Sequence, residues 1–213
     1  MKKKILSAAA AAILAIDGMA MAGCTPSPSH NGPACVLMGD SITQQWKEKR
    51  PEFFEQNGFV GAGISGQVTG QILGRFDTDV VDLDPYAVSI LCGINDIAQN
   101  QGYISNEDIA KNIAAMIDKA QAAKIRVILW SVLPSDYLCW HKSIDPAPLV
   151  KDLNDKLKAL AEEKGVTYVD FYNDHVTETG GLPADLTTDG VHVTAACYSL
   201  MEQILLEKLG KKK

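Results

Sequence analysis

Nucleophilic catalysis by a hydroxyl requires the hydroxyl itself, a base that takes its proton, and a group that orients the base. Candidates for the base are few, because the chain holds only four histidines. His30 lies in a Pro/Ser-rich segment, His141 in a Trp-containing loop and His175 in a polar stretch. His192 stands in Thr188-Asp189-Gly190-Val191-His192-Val193-Thr194, immediately before a helix-period segment. Three residues apart across a glycine turn, Asp189 can reach the imidazole nitrogen that faces away from a substrate, fixing the tautomer and stabilising the imidazolium. Taken alone, Asp-x-x-His is also an ordinary hydrogen-bonded loop pair.

The matching hydroxyl is Ser41 in Gly39-Asp40-Ser41-Ile42-Thr43, which follows an apolar run and opens a helix. The positive end of that helix and its free N–H groups favour negative charge there, although serine at a helix start is also a common cap. Two further turns carry donors of the kind an oxyanion hole needs. Gly63-Ile64-Ser65-Gly66-Gln67 offers the unhindered N–H of Gly66, and Gly93-Ile94-Asn95-Asp96 offers the amide of Asn95. Gly and Asn are favoured in turns for local reasons too. Three successive apolar runs that all end in donor-rich glycine turns are harder to explain that way.

The elements that must position these groups follow from the pattern of apolar residues. Five short runs read as strands: 35–39, 59–62, 87–92, 125–132 and 166–170. Most are nearly continuous rather than alternating, as in parallel strands covered on both faces. Between them Ile109, Ile113, Met116, Ile117 and Ala120 form a helical stripe, Leu149, Leu153, Leu157 and Leu160 a second, and Met201, Leu205 and Leu209 a third. Ser105 or Asn106 can cap the first helix, and Gly165 stops the second. Strands alternating with helices define an α/β domain with a largely parallel sheet, whose functional groups collect beyond the carboxyl ends of the strands. Trp46, Phe53 and Phe54, after the Ser41 turn, are expected to pack inside.

Gly-Asp-Ser-Ile at residues 39–42, Gly66, Gly-x-Asn-Asp at 93–96 and Asp-x-x-His at 189–192 occur in the order of the four blocks of the SGNH (GDSL-type) hydrolases. Over residues 34–209 the chain resembles that family. It is most similar to the branch containing platelet-activating-factor acetylhydrolase catalytic subunits and bacterial acylhydrolases. The resemblance implies a flavodoxin-like three-layer α/β/α sandwich on a five-stranded parallel sheet of order 2-1-3-4-5. It also implies Ser41 as nucleophile, His192 as base, Asp189 as its partner, and an oxyanion hole made by the N–H groups of Ser41 and Gly66 with the Asn95 amide. Such a site cleaves acyl esters through an acyl-enzyme and needs neither a metal nor an organic cofactor. No Cys/His spacing in the chain suggests zinc either.

Composition and the ends of the chain bound the setting. The 213 residues are 46% hydrophobic and 22% charged with a net charge of −6, so a nucleic-acid partner is not expected. Lys2-Lys3-Lys4 precede an uncharged stretch from Ile5 to Ile16, a secretory signal too short to span a bilayer permanently. It ends in Met21-Ala22-Gly23-Cys24, which resembles the lipobox of bacterial lipoproteins, with Cys24 as the acylated residue. Ordinary cleavage leaving a free thiol or a disulfide partner is the other reading. The expected division is therefore a signal over 1–23, a Pro/Ser-rich tether over 24–33 and one hydrolase domain over 34–213. Removing 1–23 takes away three Lys and one Asp and brings the charge to −8. Cys35 and Cys92 sit in apolar runs and are expected to be buried thiols.

The expected activity is hydrolysis of short-chain acyl esters, acetyl foremost, on a small molecule or glycan, by a protein that meets the membrane only through the lipid on Cys24. A lysophospholipase or thioesterase, or an O-acetyltransferase acting on cell-envelope glycan, would use the same residues. A carbohydrate-binding scaffold lipoprotein is the non-enzymatic alternative. Tyr137 and Trp140, in the long loop after the fourth strand, could wall an acyl pocket or stack on a sugar, or simply pin that loop.

Overall fold

A computed structural model describes residues 30–211. Its elements run β1 (Cys35–Gly39), α1 (Ser41–Lys49), α2 (Pro51–Asn57), β2 (Phe59–Gly63), α3 (Thr69–Gly74), α4 (Phe76–Asp79), β3 (Ala87–Leu91) and α5 (Ile94–Ile97). They continue with α6 (Asn106–Ala122), β4 (Arg126–Trp130), α7 (Pro146–Lys164), β5 (Thr167–Val169), α8 (Phe171–His175) and α9 (Ala195–Lys208). The five strands form an all-parallel sheet of order β2-β1-β3-β4-β5 with helices on both faces, the three-layer α/β/α arrangement. β4 and β5 are shorter than the apolar runs that announce them, because pairing ends before the flanking apolar residues do.

The strand order places a topological switch between β1 and β3, and a crevice forms at such a point beyond the carboxyl ends. Register sharpens this. Gly39 pairs with Gly63 on one side and Leu91 on the other, so the turns after β1, β2 and β3 leave the sheet at one level. Gly63 has to be glycine: a Cβ there would run into the backbone of Asp40, Thr43 and Gln44, where α1 crosses the end of β2.

The sheet is sandwiched by two groups of helices. On one side the rings of Trp46 (α1) and Tyr198 (α9) stack at 5.6 Å, and Trp46 meets Phe53, Phe54 and Trp130 at 5.8–6.3 Å. Trp46, Phe53 and Phe54 are indeed buried. On the other side α6 buries Ile109, Ile113, Met116, Ile117 and Ala120 as its periodicity requires, with Ser105 as its cap.

The stripe on α7 differs from expectation. Leu153 and Leu157 are buried, but Leu149 is 38% exposed and Leu160 only partly covered, and the buried seam runs instead through Val150, Asn154 and Ala161. The cause is polar. Asn154 turns inward and closes a bidentate pair with the Val132 backbone, accepting from its N–H at 2.7 Å and donating to its carbonyl at 2.9 Å.

Residues 30–33, expected as the last part of the tether, are hydrogen-bonded to the domain. His30 Nδ1 lies 2.7 Å from Asp84, the N–H groups of Asn31 and Gly32 donate to Asp84, and Pro33 accepts from the Tyr86 N–H. Thus 30–33 is fastened to the domain at the amino ends of the strands. The expected signal over 1–23, Cys24 and the rest of the expected tether lie outside the described residues. Among the described residues no helix is long and apolar enough to cross a membrane. Cys35, Cys92 and Cys197 are buried free thiols and Cys139 is an exposed one.

Candidate active site

Ser41 is the first residue of α1. The Asp40 side chain caps that helix by accepting from the Ile42 N–H at 3.0 Å, which leaves the serine at the positive end of the helix and 7% exposed. From 151 residues further along the chain, His192 brings Nε2 to 3.0 Å from Ser41 Oγ. Its other nitrogen, Nδ1, lies 2.7 Å from Asp189 Oδ2. A carboxylate can only accept, so Nδ1 carries the proton and Nε2 is free to accept the serine proton.

The turn that carries this pair is fastened on all sides. Asp189 Oδ1 accepts from the N–H groups of Val191 at 3.0 Å and His192 at 2.7 Å. The His192 carbonyl accepts from the Thr188 N–H and from the hydroxyls of Thr187 and Thr188. Thr194 then caps α9. Partial burial is the largest single influence on Asp189 and opposes its ionisation. The hydrogen bonds from the His192 ring and from the two backbone N–H groups together outweigh it and hold the carboxyl below its ordinary value.

The oxyanion-donor candidates lie on the neighbouring strand ends. Gly66 adopts φ +77° in the turn after β2, and Asn95 is buried in the first turn of α5. Asn95 Nδ2 donates one hydrogen to the Gln67 carbonyl at 3.0 Å, which leaves its second hydrogen for another acceptor. Asp96 accepts from the N–H and the hydroxyl of Thr69, the latter at 2.6 Å, and so ties α5 to α3. Trp140 and Tyr137 stand at the rim, each 43% exposed. The Trp140 ring lies 6.4 Å from the His192 ring, and Tyr137 rests against Gly190 in the histidine turn.

Sequence reasoning missed Asn100. Its Nδ2 donates to Asn95 Oδ1 at 2.9 Å and approaches the Gly66 carbonyl at 3.5 Å, and its Oδ1 accepts from the Trp140 indole at 3.0 Å. Gln44, whose side-chain oxygen accepts from the Ser65 N–H and hydroxyl, was missed as well. A polar residue in a loop carries no periodic signal, and neither role is visible without the partners that the fold supplies. The other histidines are placed elsewhere: His30 on Asp84, His141 on the Ala98 carbonyl and His175 stacked on Phe171.

The model of the GDSL-like lipase/acylhydrolase family matches residues 37–200, and this chain belongs to that family of ester-bond hydrolases. The crystal structure of a GDSL-like lipase from Bacteroides thetaiotaomicron is 39% identical with a TM-score of 0.80, covering 83% of this chain and 87% of that one. An acetylxylan esterase of Geobacillus stearothermophilus is 25% identical over 162 residues, 71% of each chain. An uncharacterised lipoprotein of Bacillus subtilis, YqeF, is 32% identical over 78 residues, 35% of this chain and 32% of that protein.

Asp40 makes a prediction about pH. Its Oδ2 is buried with no hydrogen-bond partner. Burial, opposed by the Ile42 N–H and the charge of His192, pushes its carboxyl from an ordinary 3.8 up to about 7. Between those values the unfolded chain sheds a proton that the folded protein keeps. The stability this proton linkage contributes is therefore complete below the lower value and is lost as pH rises through the upper one. Asp40→Asn keeps the capping oxygen and removes the titration. The melting temperature of the wild type, measured against that of the variant, is expected to fall between about pH 4 and about pH 7 and to level off above. Parallel curves would contradict the assignment.

Proposed function

We propose that this protein is a serine esterase that removes short acyl groups, acetyl foremost, from carbohydrates or small alcohols through a covalent acyl-enzyme. The observation that carries the reading is the unbroken hydrogen-bond chain Ser41 Oγ, His192 Nε2, His192 Nδ1, Asp189. Ser41 Oγ attacks the ester carbonyl carbon while His192 Nε2 takes its proton. The carbonyl oxygen, now an alkoxide, faces the N–H groups of Ser41 and Gly66 and the free hydrogen of the Asn95 amide. Collapse of the intermediate expels the alcohol, protonated by His192. Water, activated by the same nitrogen, then attacks the acyl-serine and releases the acid. Asp189 stays ionised throughout and stabilises the imidazolium.

The substrate side of the proposal rests on the rim. Ile64, Tyr137 and Trp140 present exposed apolar and aromatic surface around a serine close to the surface, a setting suited to a sugar face rather than to a long acyl chain. The similarity to an acetylxylan esterase over 71% of the chain supports the same direction. We also propose that the protein is exported and anchored by a lipid on Cys24. The N-terminal pattern and the similarity to a lipoprotein support this. Residues 30–33 enter at the amino ends of the strands, so an anchor preceding them would leave the Ser41 end of the sheet facing away from the membrane.

With p-nitrophenyl acetate, Ser41→Ala and His192→Ala are each expected to lower kcat by several orders of magnitude, on the order of 10⁶ if the three residues act as a unit. Asn95→Ala is expected to lower it roughly 10²–10³-fold. An active Ser41→Ala protein would overturn the mechanism, and a clear preference for octanoate over acetate esters would overturn the substrate class. For the anchor, Cys24→Ser should move the protein from the membrane fraction to the soluble one. An unchanged distribution would refute lipidation at that residue.

A further inference from the structure

We propose that Asn100 is a positioning residue that sets which end of the Asn95 amide faces the reacting oxygen. The inference rests on the serine-esterase reading above and deepens it.

A side-chain amide presents an N–H₂ at one end and an oxygen at the other, with almost the same shape. Only its hydrogen-bond partners decide which end points where. As an oxyanion donor Asn95 works in one orientation and fails in the other, because its oxygen would repel the developing negative charge.

The structure holds a relay that settles the orientation from both ends. The Trp140 indole can only donate, so its N–H, 3.0 Å from Asn100, requires the Asn100 oxygen to face it. The Asn100 N–H₂ is then turned to Asn95 Oδ1 at 2.9 Å, which turns the Asn95 N–H₂ the other way. There the Gln67 carbonyl, which can only accept, takes one hydrogen at 3.0 Å. The second hydrogen remains for the substrate oxygen. A donor-only group at one end and an acceptor-only group at the other give the relay a single polarity. The Asn100 N–H₂ also approaches the Gly66 carbonyl at 3.5 Å, so it touches both residues that carry the second and third oxyanion donors.

The backbone is built to hold Asn100 in place. Its N–H donates to the Asn95 carbonyl at 3.0 Å, and the preceding Gln99 sits at φ +56°, a conformation that non-glycine residues rarely adopt. Strain of this kind persists where surrounding contacts over-determine it, often beside functional groups. The relay also makes Trp140 more than a wall of the rim, since its indole nitrogen decides the polarity.

The test separates positioning from mere support of the loop. Asn100→Asp is nearly isosteric and keeps the acceptor for Trp140, so a structural role predicts a milder effect than Asn100→Ala. Positioning predicts the reverse. A carboxylate at that place accepts rather than donates, draws the Asn95 N–H₂ toward itself and swings the Asn95 oxygen into the oxyanion site. With p-nitrophenyl acetate, Asn100→Ala is expected to lower kcat roughly 10–100-fold with KM little changed, and Asn100→Asp by at least as much. In an Asn95→Ala background either substitution should change kcat by less than about twofold, because the group it acts through is gone. Losses that multiply with that of Asn95→Ala, or an Asn100→Asp protein more active than Asn100→Ala, would overturn the proposal while leaving the esterase reading intact. A wild-type protein without esterase activity would remove that reading and this inference with it.

Discussion

The 3.0 Å contact between Ser41 and His192 joins residues at opposite ends of the folded chain, and its length depends on how α1 and α9 are held against each other. Four interactions below the site hold them. The Tyr198 hydroxyl donates to the Ile42 carbonyl at 2.8 Å, one residue after Ser41. Trp46 stacks on Tyr198 one turn further down, and its indole donates to Glu202. Arg50 closes the foot of the interface with a two-pronged pair to Glu202 at 2.8 and 2.9 Å. Because Glu202 is mostly buried, its charge has to be matched there, and the two-pronged geometry of a guanidinium allows the match. Ser41 opens one helix and His192 lies in the turn that leads into the other, so an aromatic stack clamping α1 to α9 gives the rigidity that a proton transfer over one hydrogen-bond length demands.

The other half of the site depends on register rather than on helix packing. Since Gly39, Gly63 and Leu91 end their strands at one level, the Ser41 turn, the Gly66 turn and the Asn95 turn cannot shift relative to one another without breaking the sheet. Gly93, at φ +124°, then lets the chain turn sharply into α5 so that Asn95 reaches the crevice. Polar residues lock the outer edge: Asp96 onto Thr69, Gln44 onto Ser65, Asn100 onto Asn95. Asp40 is the exception, a buried carboxyl with one unpartnered oxygen next to Ser41. A carboxyl so placed is easier to keep when protonated, which is why burial pushes it up to about 7.

How much of this was legible in the sequence follows from the range of the interactions involved. Strand number, the parallel sheet, the face of α6 and its Ser105 cap rest on local apolar spacing and local capping, and the chain displays both. The turns that carry Ser41, Gly66, Asn95, Asp189 and His192 were legible because short motifs in a fixed order mark them. The buried face of α7 was not, since Asn154 packs inward for the sake of a backbone segment 22 residues away, and no hydropathy pattern places an asparagine in a core. The docking of His30 depends on Asp84, 54 residues on. Asn100 depends on Trp140, 40 residues on, and on a strained turn at Gln99 that sequence spacing does not announce.

The central claim is that Ser41 is the nucleophile and His192 makes it one. Treatment of the purified protein with a fluorophosphonate, followed by peptide mass spectrometry, tests it at the level of a single atom. The expected result is one covalent phosphonyl adduct on Ser41, formed rapidly in the wild type and orders of magnitude more slowly in His192→Ala. An adduct on another residue, no adduct at all, or equal labelling of the two proteins would contradict it.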